Sequence, residues 1–160
     1  MTTTQITTKD HAPSTSADRE FVTFIVGDHL FGVPVLRVQD ILVTDAIASV
    51  PLAPREIRGS INLRGRIVTV LDVRARLGLP DRREELRGRA MGVTVERGHD
   101  LYTLLVDSVG DVVTLSPDGR EPNPSSLDAV WNDVVEGVYR HNDRLLVVLD
   151  TDKFLNIQTN

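Results

Sequence analysis

Residues Gly27–Val43 read GDHLFGVPVLRVQDILV, and 71 positions later Gly98–Thr114 read GHDLYTLLVDSVGDVVT. Laid on one another without a gap, the stretches match Gly27 with Gly98, Leu30 with Leu101, Phe31 with Tyr102, Val38 with Val109 and Asp40 with Asp111. A second pair follows at a shift of 78, Gly59–Leu77 (GSINLRGRIVTVLDVRARL) on Gly137–Leu155 (GVYRHNDRLLVVLDTDKFL). It matches Arg66, Val70, Leu71, Asp72 and Leu77 with Arg144, Val148, Leu149, Asp150 and Leu155. A proline pair recurs as well, Pro51 and Pro54 in one half and Pro122 and Pro124 in the other. The chain is therefore written twice. Two copies of one unit must bury their apolar faces alone or against each other, and they leave a groove between them.

Within a copy the pattern is that of short strands. Phe21–Val26 and Leu30–Val33, separated by a turn at Gly27-Asp28, predict a hairpin. Val38–Val43 predicts a third strand, and Pro34 disfavours a continuous ladder into it. Pro51–Pro54 excludes a central strand or helix interior and predicts a linker into a turn at Arg55–Ile57. Gly59–Leu63, a turn at Arg64-Gly65, and Arg66–Leu71 predict a second hairpin. Asp72 then stands where a residue caps a short helix, Val73–Leu77, which ends at Gly78. The second half repeats the order with strands over Met91–Glu96, Leu101–Val106, Asp111–Leu115, Val134–Tyr139 and Leu145–Leu149, and a short helix from Asp150. About five short twisted strands per copy close most readily into a small barrel, so two barrels packed side by side are expected. The two registers differ by seven positions, and those extra residues fall around Pro122–Asp133, where the copies are expected to diverge in role.

Composition bounds the function classes. Aromatics are 4% of the chain and the apolar residues are mostly Val, Leu and Ile, which suits strands. A net charge of -5 argues against nucleic-acid binding, which needs a concentrated basic surface. Arg82, Arg83, Arg87 and Arg89 are interleaved with Glu84 and Glu85 and read as a solvated loop or helix face. Cysteine is absent, which excludes disulfides and thiolate catalysis. No basic region followed by an apolar run opens the chain, and no stretch is long enough to span a bilayer, so a soluble cytoplasmic protein is expected. Met1–Arg19, rich in Thr and Ser, reads as a disordered tail.

Catalytic patterns are missing. His11, His29, His99 and His141 fall in the tail or in turns, with no spacing that suits a metal, and no cofactor is implied. Arg64-Gly65-Arg66 is too short for a phosphate loop and lacks its Lys-Ser/Thr pair. Asp72 and Asp150, equivalent in the two copies, are better explained as helix caps than as an acid/base pair. The pattern fits a binding module.

Four stretches together resemble a known family, the chemotaxis coupling proteins CheW, whose domain also ends the histidine kinase CheA. They are Phe31–Val35 with Val38–Ile41; Pro51–Pro54 leading through Ile57-Arg58-Gly59 to Asn62-Leu63-Arg64-Gly65; Ile67–Arg74; and Leu105–Val113. The resemblance implies an all-β fold of two SH3-like five-stranded β-barrels related by a pseudo-twofold axis, with short helices at the barrel ends. It implies a tail over 1–19 and one domain over 20–157, made of barrel subdomains of about 20–88 and 89–157. It implies a non-catalytic adaptor without cofactors or metal, linking the cytoplasmic tip of methyl-accepting chemoreceptors to the regulatory domain of CheA. Such an adaptor is cytoplasmic, is recruited to receptor arrays at the inner membrane, and binds no nucleic acid. By the same resemblance one barrel face pairs with a kinase barrel, and the groove between the barrels takes the receptor's helical tip. Val38, Gln39, Asp40, Arg64 and Gly65 match the partner-binding positions, with Asp40 placed to pair with Arg64 where many relatives carry Glu. Arg64 has Asn142 as its counterpart, so the repeated fold does not require it. Two other readings fit the residues: a coupler for a non-chemotaxis receptor–kinase array, and a small ligand-binding barrel or enzyme using the groove.

Overall fold

Each copy begins with the hairpin that its apolar runs predict. The computed structural model describes residues 17–44, 47–80, 90–125 and 127–157. β1 (Arg19–Val26) pairs antiparallel with β2 (His29–Pro34). Pro34 has no amide proton to extend the ladder, and a single 3-10 turn, Val35–Arg37, carries the chain into β3 (Val38–Val43). β4 (Ile57–Leu63) and β5 (Arg66–Asp72) form the second hairpin, followed by α1 (Val73–Leu77). The second copy supplies β6 (Met91–Arg97), β7 (Asp100–Val106) and β8 (Ser108–Leu115). A two-residue β9 (Arg120–Glu121) and α2 (Ala129–Val134) come next, then β10 (Val135–His141), β11 (Arg144–Leu149) and α3 (Thr151–Phe154). The two aspartates do cap their helices: Asp72 Oδ1 accepts from the Ala75 amide at 3.2 Å, and Asp150 Oδ1 from the Lys153 amide at 3.1 Å.

The strands make two sheets, β3-β6-β7-β5-β4 and β8-β1-β2-β11-β10-β9. Replacing each strand of the first by its counterpart in the other copy gives the order of the second, with β9 added at the edge. The architecture is all-β, two SH3-like units with short helices, and the pseudo-twofold relation is carried by this strand order. The copies, however, exchange their first hairpins. β1 and β2 join strands of the second half, and β6 and β7 join strands of the first. Subdomains of 20–88 and 89–157 therefore do not describe the sheets. Both copies carry the same apolar pattern, so each first hairpin suits either sheet, and no local signal separates the two pairings.

The exchange explains why the strands read as unbroken apolar runs. In β11, Leu146 and Val148 enter a cluster with Phe21, Leu30, Val113 and Leu115, whereas Val147 and Leu149 enter a larger one. That larger cluster draws Phe24, Phe31 and Val33 from one sheet and Leu71, Val93 and Leu104 from the other. A third cluster, Ile61, Val68 and Val70, belongs to the first sheet. Strands covered on both faces need no polar alternation.

The divergent connection adds to this core. α2 carries Trp131 inward, and the indole Nε1 donates to the Leu77 carbonyl at 2.8 Å. Its ring centroid lies 5.5 Å from Phe31 and 4.9 Å from His29.

Arg74 of α1, 7% exposed, donates to Asp107 Oδ2 at 2.6 Å and to the Pro80 carbonyl at 2.9 Å, and the same carboxylate oxygen accepts from the Gly27 amide at 2.7 Å. Of the expected tail, residues 1–16 lie outside the described residues, as does the arginine cluster of residues 82–89. Arg19 is already strand: it pairs with Leu115, and its Nη1 meets the Glu136 carboxylate at 3.0 Å.

Candidate interface

β3 is an edge strand with two faces of different character. Val38, Asp40 and Leu42 are half-buried, and Val38 packs against the main cluster. Gln39, Ile41 and Val43 face outward and are exposed. Against β6 the register shifts between Val38 and Asp40, which leaves Gln39 as the extra residue of a bulge. A bulge at an edge blunts further strand pairing and re-aims its neighbours.

The β4–β5 turn comes to meet this strand. Arg64 and Gly65 have φ of 54° and 86°, the two left-handed residues of a type I′ hairpin turn. Asn62 Oδ1 accepts from the Gly65 amide at 2.9 Å, which explains the local value of an Asn-x-x-Gly turn. Arg64 Nη2 then reaches Asp40 Oδ2 at 3.1 Å, while Asp40 Oδ1 accepts from the Ile41 amide at 2.9 Å. The shorter aspartate side chain thus suffices. β3 and β4 are the two edges of the first sheet, so this ion pair bridges the opening between them. Arg64 remains 76% exposed and Asp40 21%, so the turn presents its cation to solvent from a fixed carboxylate.

Of the five positions expected at the interface, the structure brings Asp40, Arg64 and Gly65 together, places Gln39 on the adjoining outer face, and turns Val38 partly inward. The second copy keeps the turn but not its chemistry. Asn142 and Asp143 are also left-handed, at 49° and 63°, yet Asn142 contacts its neighbour His141 and no ion pair joins it to β8 among the described residues. Asp111, the counterpart of Asp40, offers its backbone carbonyl to Thr23 Oγ1 at 2.6 Å.

A groove of about 990 Å³ lies where the chain leaves β2 for the other sheet. Pro34–Arg37 form one wall, and Thr114, Glu136 and Asp150–Asp152 form others. Leu36, 87% exposed, stands on its lip, and Val112, two residues before Thr114 on the same outward face of β8, adds apolar surface. None of the five expected positions lines it, although its Val35–Arg37 wall runs directly into Val38. The groove is acidic: Asp18, Glu20, Glu136, Asp150 and Asp152 face Arg19 and Arg37. The hydrogen bond from Arg37 holds the Asp152 carboxyl below its ordinary range, with the charges of Arg37 and Arg97 adding, and the same bond raises Arg37. Leu36 is missed in the sequence because an apolar residue beside a β-strand ordinarily reads as core, and Arg37 because a lone arginine there ordinarily reads as solvated. The proline at 34 was the available signal that the chain there leaves the ladder. No group of three or more His, Cys, Asp or Glu among the described residues is arranged to hold a metal ion, and no helix among them is long and apolar enough to cross a membrane.

The described residues thus hold two barrel-like sheets, a closed turn–strand pair and an open groove. The CheW-like domain family model matches residues 20–159, and the chain belongs to that family. It is similar to the chemotaxis protein CheW of Rhizobium meliloti, 30% identical over 138 residues that span 86% of this chain and 88% of that one. It is also similar to the chemotaxis protein CheW of Klebsiella aerogenes, 26% identical over 86% of this chain and 82% of that protein. Among solved structures, the scaffolding protein CheW of Thermoanaerobacter tengcongensis superposes with a TM-score of 0.76 at 24% identity, covering 89% of this chain and 99% of that one. The chain accordingly groups with chemotaxis proteins of the CheW type.

Proposed function

We propose that this protein couples the cytoplasmic tip of methyl-accepting chemoreceptors to the regulatory domain of the histidine kinase CheA in arrays at the inner membrane. The observation that carries the reading is the Asp40–Arg64 pair: one copy alone places a fixed, solvent-facing cation beside the outward residues Gln39, Ile41 and Val43. This face takes the kinase barrel. A polar turn flanked by exposed aliphatic residues has the makings of an anchor with a charged rim, and the rim sets orientation more than affinity. The groove takes the receptor. Its exposed Leu36, with Val112 on the adjoining surface of β8, supplies aliphatic contacts for a helical hairpin, with charged walls on either side.

Purified protein is tested by co-sedimentation with receptor-containing membranes, with and without the kinase. Coupling requires that it sediment with receptor alone and that it recruit the kinase regulatory domain into the pellet. Arg64→Glu should abolish kinase recruitment while leaving receptor binding in place. A protein that sediments with neither partner would overturn the assignment.

A further inference from the structure

Arg37 closes the 3-10 turn, one residue before β3 begins. Its guanidinium forms a two-pronged pair with Asp152 of α3, Nη1 to Oδ1 at 3.0 Å and Nη2 to Oδ2 at 3.1 Å. Nη1 also donates to the Glu96 carbonyl near the end of β6, at 3.2 Å. One side chain therefore ties the start of β3 to its own sheet and to the helix that follows β11 of the other sheet. Planar two-pronged pairing fixes direction as well as distance.

The other copy contains a similar clip with its charges reversed, displaced by one position on one side, since the counterpart of Arg37 is Ser108. Asp152 is the counterpart of Arg74 at the shift of 78, and Arg74 pairs with Asp107, which sits between β7 and β8 as Arg37 sits between β2 and β3. There the side chains are 9% and 18% exposed; at Arg37 and Asp152 they are 35% and 56% exposed. One clip is largely sealed from solvent. The other forms part of the groove wall, where a partner can reach it.

We infer that Arg37 is a positioning residue that links the groove to the β3 face: through Asp152 it holds the start of β3, and with it Val38, Gln39 and Asp40. This rests on the coupling function proposed above only for its consequence, that a partner in the groove alters how β3 meets the kinase. The placement of β3 itself is measurable without any partner.

The test is amide hydrogen exchange over residues 38–43 in the whole protein, comparing wild type with Arg37→Ala, Asp152→Asn and the exchanged pair Arg37→Asp with Asp152→Arg. Exchange in β3 should quicken about two- to fivefold in each single variant, the range open to an exposed ion pair, and return towards wild type in the exchanged pair. Exchange in β10 and β11 should not change. Unaltered β3 exchange in both single variants would overturn the inference, as would a general rise across all strands. Kinase-domain affinity is measured on the same proteins. Weakening of about two- to fivefold in the single variants, with recovery in the exchanged pair, supports the link between groove and face. If Arg64→Glu abolishes kinase binding and the Arg37 variants leave it unchanged, the coupling function stands and the link falls.

Discussion

The two inter-sheet clips occupy corresponding places in the fold and serve two purposes. Arg74 is buried and Asp107 largely so, and each charge also meets backbone, the guanidinium at the Pro80 carbonyl and the carboxylate at the Gly27 amide. Arg37 and Asp152 form a comparable pair in the open. The two hairpin turns differ in another way, both being exposed: Arg64 reaches Asp40, whereas Asn142 contacts its neighbour His141. A duplicated fold can therefore keep an interaction in one copy for cohesion and expose its counterpart for recognition. Burial decides which. Breaking a buried pair leaves a charge that the interior cannot solvate, whereas breaking an exposed one returns both groups to water.

The largest effect should come from the sealed clip. Asp107→Ala strands a guanidinium at a residue 7% exposed and removes the acceptor of the Gly27 amide, so unfolding free energy should fall by about 3–5 kcal/mol in denaturant titration. Asp152→Ala, at the open clip, should lose no more than about 1 kcal/mol. Equal losses at the two sites would break the comparison.

Matched glycines sharpen it next. Gly59 and Gly137 sit at equivalent bulges, between Ile57 and Gly59 in one hairpin and Val135 and Gly137 in the other. Gly59 has φ of 154°, and a Cβ there would stand 2.1 Å from the Ala48 carbonyl oxygen, which is engaged with the Ser60 amide. At Gly137 the nearest atom is Arg120 Nε at 3.1 Å, on a long side chain that can move aside. Gly59→Ala should cost about 2 kcal/mol or more, and Gly137→Ala under about 1 kcal/mol, both read from thermal melts.

Helix caps come third. Asp150→Ala should cost about 1 kcal/mol. Asp72→Ala should cost somewhat more, because its other oxygen also pairs with Arg58 at 3.1 Å where the Asp72 side chain is 13% exposed. A smaller loss at Asp72 than at Asp150 would show that the Arg58 pair adds nothing.

Sequence legibility follows the range of the interaction. The bounds of β3, the turn at Arg64-Gly65 and the caps at Asp72 and Asp150 depend on residues within a few positions of one another, and they were readable from pattern alone. The exchange of first hairpins was not, because the two copies offer the same apolar surface to either hairpin. Trp131 was hidden for another reason: α2 has six residues, too few to show a helical period. Asp40 lies on β3 and Arg64 in the β4–β5 turn, and only the resemblance to a family placed them together. Leu36 and Arg37 gave no reading at all, since their exposure is set by a turn that Pro34 permits but does not dictate.

The smallest effect on stability is expected at Arg64, where the comparison between copies is most exposed to failure. Its side chain is 76% exposed, and its pair with Asp40 joins sheet edges that the Ala48–Ser60 bridge already holds nearby. Arg64→Ala should therefore change unfolding free energy by less than about 0.5 kcal/mol, a shift close to the error of a thermal melt. The second copy supplies the physical reason, for its Asn142 turn is built on the same backbone without such a pair. If Arg64→Ala instead lowers stability as far as Asp107→Ala does, the pair is a closure of the barrel and not a recognition feature. Arg64→Asn, which copies the residue of the other turn, separates the cases: it should fold as stably as wild type and still fail to recruit the kinase.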